Sequence, residues 1–182
     1  GLMPNLEKTA DKYDIKGAVV AAEGTVLGVA KIAGFEAITH KSLTGNLDTN
    51  VDMKAKLALA ANKNYDFVAI NVKAPDLMGH DNQPLEKVQA IEMFDRMIGK
   101  LIEEPLEDTI IAVVADHSTP CERMEHSGDP VPALIYGQGI RRDRNTAYNE
   151  IDCAHGGLGR IKGYEFVNTL FDFMEKTVKK GN

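Results

Sequence analysis

Cysteine is scarce: Cys121 and Cys153 are the only two in 182 residues, too loosely spaced for a disulfide framework or a zinc knuckle. A reducing cytoplasm is the simplest setting for such a chain. No apolar run approaches the roughly 20 residues of a membrane span, and no secretory signal pattern is present. A basic excess is missing as well. The formal net charge is −6, which argues against nucleic acid as the main partner. No internal repeat or linker interrupts the chain, so residues 1–182 read as a single unit. The first residues, GLMPNLEKTADKYDIKG, carry no initiating methionine and read as the interior of something longer. What is present is the composition of a soluble folded protein, 43% apolar and 26% charged, with length enough for a sizeable core.

Hydrophobic patterning predicts strands alternating with helices. Gly17 to Glu23 reads as a short buried strand, Gly24 to Ala33 as one or two helical turns, and Phe35 to Thr39 as a second strand. HKSLTGNLDTN is polar and turn-rich, so it is a loop. Thr49 or Asn50 is placed to cap a helix from Val51 to Asn62, with Met53, Leu57 and Ala60/Ala61 on one side. Tyr65 to Val72 is a strand that ends in the polar loop KAPDLMGHDNQP. From Leu85 to Ile102 the spacing of Val88, Ile91, Phe94, Ile98 and Leu101/Ile102 predicts a long amphipathic helix ended by Pro105. Ile110 to Ala115 has the β-branched content of a buried strand, and ALIYG is another. A C-terminal helix from about Tyr164 carries a stripe of Phe166, Leu170, Phe173/Met174 and Val178. This alternation is the mark of an α/β fold.

Two of these strands end in chemistry. Asp76 and His80 lie in the loop after Val72, and Asp116, His117 and His126 lie in the loop after Ala115. In α/β folds ligands collect beyond the carboxyl ends of strands. Carboxylate oxygen with imidazole nitrogen suits Zn²⁺, Mn²⁺ or Fe²⁺, and the lack of thiolates argues against a closed structural zinc site. Taken singly, each residue has an ordinary use. Asp76 would cap a turn after Pro75, Asp116 would accept from the Ser118 and Thr119 amides, and a loop histidine is usually solvated.

The motifs VKAPDLMGHD, ADHSTP, EHSGDPVP and GGLGRI, in this order and spacing, resemble the archaeal-type cofactor-independent phosphoglycerate mutases of the alkaline phosphatase superfamily. The resemblance runs from about Gly17 to the C-terminal helix. It implies a three-layer α/β core with a mostly parallel sheet, lacking the N-terminal strands of the family. By that resemblance Asp76, His80 and His126 hold one divalent ion, and Asp116 and His117 supply half the ligands of a second. Mn²⁺ is the implied ion, with Zn²⁺, Co²⁺ or Mg²⁺ as substitutes. The implied reaction interconverts 3-phosphoglycerate and 2-phosphoglycerate through a phosphoserine, in glycolysis or gluconeogenesis.

The same comparison marks what this chain does not match. An aspartate ligand, the serine nucleophile and a substrate-binding insert stand upstream in the family. Ser42 and Ser118 sit outside the expected motif. The chain therefore resembles the C-terminal, metal-binding portion of such an enzyme, expected to be inactive alone, with no catalytic residue of its own assigned. Loss of sheet strands would expose an apolar edge, which predicts a homodimer. Two other readings stand beside this one: another phosphomutase, phosphodiesterase or phosphatase of the superfamily, or a non-catalytic metal-binding module.

Lower weight falls on other features. HGGLGR (155–160) reads as a structural turn before the last helix rather than a phosphate cradle. Arg141, Arg142, Arg144 and Lys41 read as solvated, and Cys121 as a small packed side chain.

Overall fold

The computed structural model describes residues 6–104 and 108–177. Pro105 and Val178, given roles above, lie outside the described residues. The chain divides into two compact units, Gly1–Pro105 and Leu106–Asn182, and each is described by itself.

In the first unit a short helix α1 (Thr9–Tyr13) precedes β1 (Gly17–Val20), which is flanked by β2 (Glu36–Ile38) and β3 (Phe67–Ile70). All three strands are parallel in the order β2-β1-β3, with Val20 paired to Ile38 on one side and Ile70 on the other. Parallel neighbours need crossovers. These are α2 (Gly24–Ile32), between β1 and β2, and α3 (Val51–Asn62), between β2 and β3. Side chains of a strand alternate between faces. Val19 and Ala21 therefore pack with Val26, Leu27 and Ala30 of α2, while Val20 packs with Leu43 and Ala58 on the α3 side. Helices thus cover both faces of β1, which is why all four of its residues are buried.

Gly17 is required sterically. A Cβ there would run into the Phe35 ring, which itself pairs with Phe67 at a centroid distance of 5.6 Å. The expected cap of α3 is present as Asn50, whose Oδ1 accepts the Met53 amide at 2.9 Å. Met53 and Leu57 pack on the core side as expected, and Ala61 is buried. Lys54, Ala55 and Ala58 are buried as well, whereas Ala60 is exposed.

The segment KAPDLMGHDNQP is not simply a loop. Ala74–His80 forms a helix, α4. Pro75 sits in its first turn, where a missing N–H costs nothing, and Asp76 in that turn complements the positive helix end. Met78 and Gly79 bury its inner side. α5 (Pro84–Ile102) follows and packs on α4 and α3. Its fully buried residues are Ala90, Met93 and Met97, while Val88, Ile91 and Ile102, counted in the apolar stripe, are more than half exposed. Small and flexible residues let α5 lie close to Ala74.

The second unit holds an antiparallel pair, β4 (Ile111–Val114) with β5 (Ala133–Tyr136), in the register Ile111↔Tyr136 to Val114↔Ala133. β4 is half-buried rather than buried, and Val114 is exposed. A one-turn helix α6 (Glu150–Cys153) is capped by Asn149, whose Oδ1 accepts the Ile151 and Asp152 amides. α7 (Gly163–Phe173) buries Phe166, Leu170 and Phe171, and Phe173 of the expected stripe is exposed. No described helix is long and apolar enough to cross a membrane.

Candidate metal centre

In the first unit the geometry begins at the end of β3. The chain leaves the sheet at Asn71, turns through Val72 and Lys73, and enters α4. Residues four apart lie on one helical face. Asp76 and His80 therefore meet, with His80 Nε2 3.5 Å from Asp76 Oδ1. The other carboxylate oxygen, Oδ2, holds the Lys73 ammonium at 2.5 Å. Asp76 is well shielded, its side chain 13% exposed, while Lys73 and His80 are each about a third open. A positive charge thus already stands against the Asp76 carboxylate, with an imidazole nitrogen beside it. The donor set fits a divalent cation of intermediate softness.

In the second unit the loop between β4 and β5 carries the other three residues. Asp116, at the exit from β4, has an exposed carboxylate whose Oδ1 accepts the His117 amide at 3.1 Å. His117 Nε2 lies 3.5 Å from Asp116 Oδ2, and its Nδ1 is 3.1 Å from the Thr119 hydroxyl. An isolated bridge pairs Ser118 with Ser127, the Ser127 amide donating to the Ser118 carbonyl at 3.0 Å. That bridge brings together histidines nine positions apart, and their rings stack at 3.7 Å. Ligating histidines characteristically anchor the ring nitrogen that does not face the metal. Thr119, only 4% exposed, is placed to do this for His117. It lies within the ADHSTP motif, where the sequence assigns its side chain no role.

The five predicted ligands thus fall into two groups: Asp76 with His80, and Asp116, His117 and His126. Other residues are spoken for locally. His40 Nδ1 is 2.8 Å from the Ser42 hydroxyl and accepts the Ser42 amide at 3.2 Å, which locks the 40–50 loop. His155 Nδ1 lies 2.9 Å from the Ile151 carbonyl. In the glycine-rich stretch the Gly157 amide donates to Asp143 at 2.8 Å, so a carboxylate of the chain already sits where a phosphate would have to. This supports the structural-turn reading. Lys41, Arg141, Arg142 and Arg144 are exposed, and Cys121 is partly buried.

Comparison with known proteins gives four further findings. A family profile described as the Metalloenzyme superfamily matches residues 1–172. A 2,3-bisphosphoglycerate-independent phosphoglycerate mutase of Thermococcus kodakarensis is 44% identical over the whole chain, which spans 44% of that relative's length. Among solved structures, a protein from Pyrococcus horikoshii is 44% identical with a TM-score of 0.93, over 96% of this chain and 53% of that one. A cofactor-independent phosphoglycerate mutase of Thermoplasma acidophilum shares the fold, with a TM-score of 0.69 at 23% identity, over 92% of this chain and 38% of that one.

Proposed function

This chain belongs to the Metalloenzyme superfamily, and from that premise we propose that residues 1–182 are the C-terminal part of the metal-binding domain of a phosphoglycerate mutase. The reading assigns Asp76, His80 and His126 to one divalent ion, and Asp116 and His117 to a second, with Mn²⁺ preferred. The observation that carries it is the Asp76 carboxylate, a shielded anion with an imidazole on one oxygen and an ammonium on the other.

Divalent ions bound there would act as Lewis acids, polarising phosphoryl oxygens and lowering the pKa of an attacking hydroxyl. The chain's own part is to hold and aim the donors. α4 sets Asp76 and His80 on one face, and the Ser118–Ser127 bridge sets His117 against His126. Thr119 orients the His117 ring. Transfer between the two glycerate oxygens proceeds through a serine ester, in two displacements that share one site. The reading places the nucleophilic serine outside these 182 residues, since neither Ser42 nor Ser118 stands in the expected motif. A reducing cytoplasm is the compartment this reading implies.

The test has two arms. Mn²⁺ titration of the chain, followed by the electron paramagnetic resonance of free Mn²⁺, is expected to show binding that Asp76→Asn abolishes. Conversion of 3-phosphoglycerate to 2-phosphoglycerate is expected from a longer polypeptide that includes this chain and not from the chain alone. Binding unaffected by Asp76→Asn refutes the ligand assignment, and mutase activity in the isolated chain refutes the placement of the nucleophile. Activity on phosphopentoses or simple phosphate esters, with none on phosphoglycerate, would select another phosphomutase or phosphatase. Leu134 and Tyr136, exposed on one face of β5, offer the apolar surface for a homodimer. A monomer in solution scattering counts against that part.

A further inference from the structure

Lys54 is the largest of the wholly buried side chains among the described residues, at 0% exposure. It occupies the second turn of α3, on a face otherwise filled by Ala55, Ala58 and Ala61. Burying an ammonium is costly unless it is paired, and a methionine of similar length would fill the space without that cost. Its Nζ donates to the main-chain carbonyl of Asn71 at 2.6 Å, and the Glu23 carboxylate, just beyond β1, supplies compensating charge.

The position of that carbonyl is informative. The Asn71 amide still belongs to the sheet, donating to the Val20 carbonyl at 3.0 Å. The Asn71 carbonyl is turned instead to Lys54. Lys54 therefore grips the chain at the point where it leaves the sheet, five residues before Asp76. Across those residues run only Val72, Lys73 and the first turn of α4. An error in the exit angle is carried directly into the Asp76 and His80 side chains. A charged donor makes a shorter and stronger bond to a carbonyl than a neutral one.

We propose that Lys54 is a positioning residue, whose bond to the Asn71 carbonyl sets the direction of α4 and so the placement of Asp76 and His80 as cation ligands. The ligand half of this inference rests on the function proposed above, while the backbone half stands without it. Groups bonded directly to a ligand commonly change metal affinity by tenfold to a hundredfold, and Lys54, acting through the backbone between Asn71 and Asp76, is expected at the low end of that range.

The test compares the full chain with Lys54→Met, which removes the donor, and Lys54→Arg, which keeps donor and charge. Amide hydrogen exchange reads the backbone, and Mn²⁺ resonance reads the ligands. Lys54→Met is expected to speed exchange over residues 72–80 about tenfold while Gly17–Val20 keep parental protection, and to weaken Mn²⁺ binding by about tenfold. Lys54→Arg is expected to restore part of both. Unchanged exchange over 72–80, or an equal loss of protection in β1, overturns the positioning role. So does parental Mn²⁺ affinity in Lys54→Met. Should the parent itself bind no Mn²⁺, the metal assignment fails, and hydrogen exchange alone decides for or against Lys54. If Lys54→Met does not fold, Lys54→Gln carries the same comparison.

Discussion

Lys73→Met tests whether an ammonium and a metal ion compete for one carboxylate. Lys73 precedes α4, and its Nζ lies 2.5 Å from Asp76 Oδ2. At an effective dielectric constant of about 20, two unit charges at that distance attract by about 7 kcal/mol. Most of this is cancelled by desolvation, by the entropy of holding a long side chain, and by solvent screening of a lysine that is 33% exposed. A net value of about 1 kcal/mol remains. A divalent ion taking that oxygen must displace the ammonium and then tolerate it as a neighbour. Removing it should therefore tighten Mn²⁺ binding about fivefold, since 1.4 kcal/mol corresponds to tenfold. Lys73→Arg keeps a competing cation and should show no such gain. The assay is free-Mn²⁺ resonance at two ionic strengths, the gap narrowing with salt because the lysine is partly open. Unchanged or weaker binding in Lys73→Met refutes the competition and removes the strongest reason for reading Asp76 as a cation ligand.

Thr119→Val deletes the hydroxyl beside His117 Nδ1 at nearly constant volume and should weaken Mn²⁺ binding by about tenfold, measured in the same way. Met97→Ala, at a position 1% exposed on α5, should cost about 2–5 kcal/mol in urea unfolding and lower the transition midpoint. Burial holds the Lys54 ammonium below its usual value near 10.5, with Glu23 opposing. Between the depressed folded value and 10.5 the unfolded chain binds the extra proton, so raising the pH stabilises the parent relative to Lys54→Met. Urea midpoints of both chains at about pH 7 and about pH 9.5 check this. The Tyr148 hydroxyl, pushed up to about 12 mainly by burial, is shared by both chains, and its effect above about pH 10 cancels in the comparison. Parallel pH profiles for the two chains would refute the buried-charge account.

The alternation of strands and helices was legible because it is local. Each of β1, β2, α2 and α3 is written in a short window of apolar spacing, turn residues and caps, Asn50 included. The donor set was legible for the same reason: aspartates and histidines just beyond apolar runs need no partner to be noticed. α4 was missed because Pro75, Gly79 and an acidic residue look like a turn until Met78 and Gly79 are seen to be buried. The stripe on α5 was misplaced because its apolar residues outnumber those that can face inward, and only packing against α3 and α4 selects Ala90, Met93 and Met97.

By itself, then, the amino-acid order determined the α/β class, the alternation of strands and helices at its start and the five polar side chains proposed as ligands. Tertiary structure decided which of them touch and what stands behind them. It stacked His117 on His126 through a serine bridge, set Thr119 behind an imidazole, and gave Asp143 the amide a phosphate would have needed. It also buried Lys54 beneath the exit of a strand seventeen residues away. The reason is physical: periodicity reports which way a side chain faces within its own element, whereas the identity of its partner depends on how distant segments are brought together.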